Sequence, residues 1–218
     1  MAGPPAAIAR ARLRAEFAAL YLGAPLAMAL FLPHGMLFAA LALFSAAGLA
    51  LLWFSGGFDW RGLLRGWGVL PWPEMAAVTA ATLGLGAAIL AISHPGAIFN
   101  LARDRPGFMA LVWVLYPVLS ALPQELIFRP LFFHRYGAVL PAGRAAIWLN
   151  AGVFAFAHLM YWSWVVAGLS FLGGLVFARA YLTRGFPAAW VLHALAGNAL
   201  FTVGMGAYFY SGNVVRPF

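Results

Sequence analysis

The sequence predicts an all-α fold, a polytopic transmembrane helical bundle of about seven spans plus a short interfacial helix. Three observations predict it. The 218-residue chain is 65% hydrophobic and only 8% charged, whereas a soluble domain is about a quarter charged and about half apolar. Its apolar residues fall into runs near the ~20 residues that cross a bilayer. Tryptophan and phenylalanine are abundant, as interfacial belts and lipid-facing walls require.

The spans read, in order, as 16–33, 35–54, 74–93, 108–133, 145–161, 164–183 and 187–207. The fourth is long and carries Pro117, Pro123 and Pro130, which predicts a kink or a break into two pieces. Before the first span, "MAGPPAAIARARLRA" has no small-residue cleavage site and reads as a retained basic flank. Between spans two and three, "GGFDWRGLLRGWGVLPWP" is too polar to cross. Trp60, Leu63, Leu64 and Trp67 share a helical face beside Arg61 and Arg65, the pattern of an interfacial helix. The "LGLGAA" and "GLSFLGGL" stretches supply small residues for close helix contact. No repeat of fixed period is visible, and residues 1–218 read as a single integral membrane domain.

The net charge of +8 comes from thirteen arginines and no lysine. The arginines punctuate apolar spans, so topology explains them and nucleic acid is not an expected partner. Arg10, Arg12, Arg14, Arg61, Arg65, Arg135, Arg144, Arg179 and Arg184 fall on one side if the N-terminus is cytoplasmic. The other side receives Arg103, Arg105 and Arg216. The bias predicts a cytoplasmic N-terminus and an outer C-terminus. Richness in alanine, glycine and arginine without lysine fits a GC-rich bacterial genome, hence a bacterial inner (plasma) membrane. Cysteine is absent, which excludes disulfides and thiolate metal sites.

Of five acidic residues, Glu16 and Glu74 begin spans and Asp59 and Asp104 lie in loops. Only Glu125 lies deep in an apolar run, with Arg129 one turn later. A charge at bilayer depth costs at least ~2.5–3.5 kcal/mol and requires a partner, a wet cavity or a proton. His34, His94 and His134 sit at turns or helix ends. His158 in "NAGVFAFAHLMYW" and His193 in "AAWVLHALAGNALF" are embedded in apolar sequence, and Asn198 follows His193. A carboxylate, two imidazoles and an amide on three apolar spans point to a shared polar site; the plainer alternative is an interhelical hydrogen-bond network. Such groups could activate water and stabilise an oxyanion. Glutamate and two histidines could also ligate zinc, with water as fourth ligand, although no HExxH pair supports it.

These residues carry a resemblance. "QELIFR" (124–129), "FAFAH" (154–158) and "HALAGN" (193–198) resemble, in order and placement, the EExxxR, FxxxH and HxxxN motifs of the CAAX protease and bacteriocin-processing (ABI) family of intramembrane endopeptidases. The likeness covers residues 105–207, a CAAX-protease-like catalytic core, with 1–104 forming the N-terminal spans. The wording is most similar to a bacterial glutamic-type subgroup associated with C-terminal sorting signals. The resemblance implies that Glu125 activates water with help from His158, and that His193 and Asn198 stabilise the oxyanion. It further implies that Arg129 holds the glutamate's helix and that Phe154 packs behind His158. The implied substrate is a membrane-anchored protein or peptide. No cofactor is expected, with zinc left open, and the sequence is silent on oligomeric state.

Two departures from the pattern stand out. Gln124 replaces the first glutamate of the pair, and glutamine cannot act as a base. His193 and Asn198 are five apart rather than four, which places them ~140° apart on an ideal helix unless a kink or π-bulge near Gly197 turns Asn198 inward. Depth is a further check. At ~1.5 Å per residue, Glu125 lies ~26 Å from the outer end of span four and His193 ~9 Å from the inner end of span seven, whereas His158 falls ~20 Å from the inner end of span five. Two other functions compete with proteolysis. One is a catalytically inactive member acting as a membrane binding or immunity protein, motivated by Gln124. The other is a proton-coupled transporter component in which Glu125 and the histidines relay protons.

Overall fold

The computed structural model describes residues 6–210 and Val214; Arg216, assigned above to the outer side, lies outside them. Seven long helices carry the described chain, and no strand occurs among the described residues. They are α1 (residues 6–31), α2 (Leu37–Trp53), α3 (Trp72–Ser93), α4 (Pro106–Arg135), α5 (Arg144–Ala157), α6 (Trp164–Arg184) and α7 (Phe186–Val203). Within a bilayer each backbone N–H and C=O must be satisfied inside its own segment, and helices do this. Five of the seven, α1, α3, α4, α6 and α7, are long and apolar enough to cross. The two shorter ones are α2, with 17 residues, and α5, with 14.

The expected break in α4 takes another form. The helix is continuous, but Pro117–Ala121 and Ile127–Arg135 are wound as π-helix. Pro117 and Pro130 remove backbone donors, and the wider winding absorbs their rings without ending the helix. Glu125 sits in the five-residue α-helical stretch between the two π segments. The segment after α2 forms two 3-10 turns, Trp60–Leu64 and Trp67–Val69, with Asp59 capping the first. Leu64 is 70% exposed there, in keeping with an interfacial position.

Helix α7 is the axis of the bundle: 67% of it is buried, against a third or less for the other four long spans. It packs on α3, α4 and α6, and α5 packs on α6. Small residues allow the approach. A Cβ on Gly174 of α6 would stand 2.8 Å from the Cα of Ala151 on α5, so the two backbones touch. Gly185 alone joins α6 to α7, at φ +92°, a conformation that glycine adopts without penalty.

One end of the bundle is laced by ion pairs. Arg135 pairs with Glu16, bonds the Ser55 hydroxyl at 3.0 Å, and neighbours Tyr136, whose hydroxyl donates to Glu16 at 2.8 Å. Arg184 pairs with Glu74, and Arg65 with Asp59. These contacts fasten α1 to α4 and α3 to α6 at the end where nine arginines were assigned.

Candidate active site

Glu125 and Arg129 are one turn apart on α4 and both are 0% exposed. Arg129 Nε donates to Glu125 Oε2 at 3.0 Å, and Nη2 to Oε1 at 3.3 Å. The remaining donors of the guanidinium reach Asn150 Oδ1 on α5 and, at 3.2 Å, the Phe128 carbonyl. Asn150 Nδ2 donates to that same carbonyl at 2.6 Å. The guanidinium carbon lies 5.2 Å from the Phe154 ring centroid and 5.9 Å from that of Phe177. A buried ion pair is tolerated when its partners' remaining polar atoms are bonded, and here all three guanidinium nitrogens and both carboxylate oxygens have a partner.

His193, on α7, adds a third partner. Its Nδ1 lies 2.9 Å from Glu125 Oε1 and its Nε2 3.1 Å from the Tyr116 hydroxyl. An ionised carboxylate only accepts, so Nδ1 carries the proton and donates. In the neutral ring Nε2 is then the acceptor for the Tyr116 hydroxyl. Phe177 stacks on the imidazole at 4.7 Å and Phe154 meets it edge-on at 5.6 Å.

His158 stands at the C-terminal cap of α5, where the helix tightens into the 3-10 turn Leu159–Tyr161. Its Nδ1 lies 2.8 Å from the Phe154 carbonyl oxygen, so Nδ1–H donates to the backbone. In the neutral ring Nε2 is therefore the lone-pair nitrogen, and no described residue bonds to it. Phe154 packs edge-on against His158 at 4.8 Å.

A cavity of about 1110 Å³ joins these elements. Its wall includes Tyr116, Ser120, Gln124, His158 and His193 within an otherwise mainly apolar lining drawn from all seven helices. Glu125, Arg129, Asn150 and Asn198 do not line it. Consecutive residues on a helix point ~100° apart, so only one of Gln124 and Glu125 faces the cavity. That one is Gln124, whose Nε2 donates to Ser120 Oγ at 2.9 Å.

The structure thus brings Glu125, Arg129, His193 and Phe154 together and sets Gln124 and His158 on the same cavity wall as His193. It does not bring Asn198 to them. Helix α7 runs without a π-bulge past Gly197, and Asn198 Nδ2 donates to the Trp113 carbonyl at 3.1 Å. Its Oδ1 is buried with no partner among the described residues. Nor do the donors suit a metal. Both oxygens of Glu125 are engaged, and among the described residues no three His, Asp or Glu side chains gather to hold an ion.

Sequence reasoning missed Tyr116, Asn150 and Phe177. Asn150 was legible as the lone amide in span five. Tyr116, beside Pro117, has no polar or charged neighbour in sequence to single it out; its signal is Gly197, the gap into which it fits.

Residues 106–199 match the family model described as Type II CAAX prenyl endopeptidase Rce1-like. That segment is similar to the Rce1-like family. The Rce1-like stretch spans α4 to α7 and holds all three motifs quoted above, whereas α1 to α3 precede it. The match makes this segment similar to the Type II CAAX prenyl endopeptidases at the level of the family. No curated protein and no solved structure matches the chain.

Proposed function

We propose that this protein hydrolyses a peptide bond of a membrane-anchored substrate whose apolar portion occupies the cavity, with His158 as the base. One observation carries the reading: His158 Nε2 is the lone-pair nitrogen on the cavity wall that no described residue engages. A water beside it attacks the carbonyl carbon while its proton passes to Nε2. The same proton then leaves with the departing amine as the C–N bond breaks. Gln124, with one N–H held by Ser120, has a second N–H to offer the oxyanion. Glu125 contributes through His193. Buried and saturated, it is a positioning residue rather than the group that meets water. Asn198 ties α7 to α4 through Trp113 and takes no part in the chemistry.

A second reading, a membrane binding protein without turnover, is favoured by Gln124. At the cavity-facing place of the motif's glutamate pair stands a side chain that takes no proton. The two readings separate in one experiment. Wild type, His158→Ala and Gln124→Glu are purified in detergent, checked for folding and given labelled membrane-anchored peptides, with and without a zinc chelator. Cleavage by wild type that His158→Ala loses and the chelator leaves intact supports the hydrolase. A silent wild type in which Gln124→Glu creates cleavage establishes the binding protein. Loss with chelator, restored by zinc, would overturn the histidine mechanism.

A further inference from the structure

The two histidines on the cavity wall are chemically alike and differently engaged. Each has Nδ1–H bonded inward, His193 to Glu125 and His158 to the Phe154 carbonyl. Only His193 has its other nitrogen covered, and the cover is the Tyr116 hydroxyl at 3.1 Å. We propose that Tyr116, seated by Gly197, is a positioning residue that caps His193 Nε2 and so leaves the basic lone pair of the site to His158. The inference rests on the hydrolase reading for its purpose, though not for its geometry.

The seat is specific. Tyr116 lies on α4 and Gly197 on α7, and a Cβ at position 197 would stand 2.1 Å from the Tyr116 ring and 2.3 Å from its hydroxyl. Gly197 sits in a regular helix and has no unusual backbone angle to justify it, so its use here is close approach. Phe201, one turn further along α7, meets the same ring edge-on at 5.4 Å. Glycine and phenylalanine thus fix the ring plane, and the ring plane aims the hydroxyl. Because the Glu125 carboxylate accepts only, His193 donates from Nδ1, and in the neutral ring the phenol is left to donate to Nε2. The chain Glu125–His193–Tyr116 therefore runs in one direction, and its last donor closes the imidazole that Glu125 would otherwise make basic.

The test is the side-chain ¹⁵N spectrum of histidine-labelled protein in micelles, with His193 assigned by its loss in His193→Gln. In wild type, His193 gives a protonated Nδ1 and an Nε2 resonance typical of a hydrogen-bonded acceptor. Tyr116→Phe keeps the ring in its seat and removes only the hydroxyl. Its Nε2 resonance moves downfield while helix content and thermal midpoint hold. Gly197→Ala displaces the ring and gives the same movement; if that variant fails to fold, Tyr116→Phe decides alone. An unmoved His193 spectrum in Tyr116→Phe would reduce Tyr116 to a packing residue and overturn the proposal. Peptide cleavage is measured on the same samples. A wild type that cleaves nothing counts against the hydrolase reading, while the ¹⁵N result still decides the cap.

Discussion

Residues 124 and 125 are neighbours on one helix and live in opposite worlds. On the inner side, Glu125 is fully enclosed and bonded by Arg129 and His193, with Asn150 completing the guanidinium's shell. On the cavity side, Gln124 is neutral, held by the one hydrogen bond it donates to Ser120 Oγ at 2.9 Å, and shares a wall with His158. At this part of the wall the Glu125–Arg129 pair stays behind neutral polar groups; Arg105, just before α4, brings a full charge to the lining elsewhere. A saturated cluster resists change and holds shape. Chemistry needs the reverse, a donor or lone pair still open.

The sharpest way to break this contrast is on the sealed side. Arg129→Ala leaves a buried carboxylate and the Asn150 oxygen without their cation, and should cost about 3–5 kcal/mol. Thermal unfolding in detergent would read it as a large fall in midpoint. A midpoint unchanged within error would mean that water reaches Glu125. On the open side, His158→Ala should leave the midpoint close to wild type while lowering turnover by about 10²–10⁴-fold. Cleavage of a labelled membrane-anchored peptide measures it, and full activity in that variant would remove His158 from the mechanism.

Two smaller effects concern the frame. Gly174→Val drives side-chain carbons into the Ala151 backbone, and overpacking of this kind costs about 1–3 kcal/mol. The loss should appear as a lower midpoint with separation of α5 from α6, seen by accelerated hydrogen exchange in both. Asn198→Leu loses one bond to the Trp113 carbonyl, at about 1 kcal/mol. Because the asparagine faces away from the cavity, turnover should hold. A hundredfold loss of turnover would restore the oxyanion role that the motif implies.

How much of this was legible beforehand depended on the range of the interaction. The spans were readable because a long apolar run is a local property, and Glu125–Arg129 because a pair four apart on a helix is local too. The bond from His193 to Glu125 joins residues 68 apart, and nothing in either neighbourhood declares it. Whether Gln124 or Glu125 faced the cavity depended on the phase of α4 against α5 and α7, which no single span contains. The five-residue spacing of His193 and Asn198 did carry its message. A regular α7 turns the two ~140° apart, and Asn198 bonds to α4 instead. Tyr116 stayed hidden because an aromatic beside a proline is ordinary in a membrane, and a missing side chain at Gly197 is a faint sign.

The Glu125–Arg129 bond lies within a single helix, and this bears on how the protein is made. A carboxylate and a guanidinium one turn apart can meet before any other helix arrives, so α4 enters the lipid with those two charges already cancelled. Asn150 and His193 belong to helices synthesised later, and they find a partner that is already oriented. The segment that holds the site together is thus also the one that can be inserted without waiting for the rest.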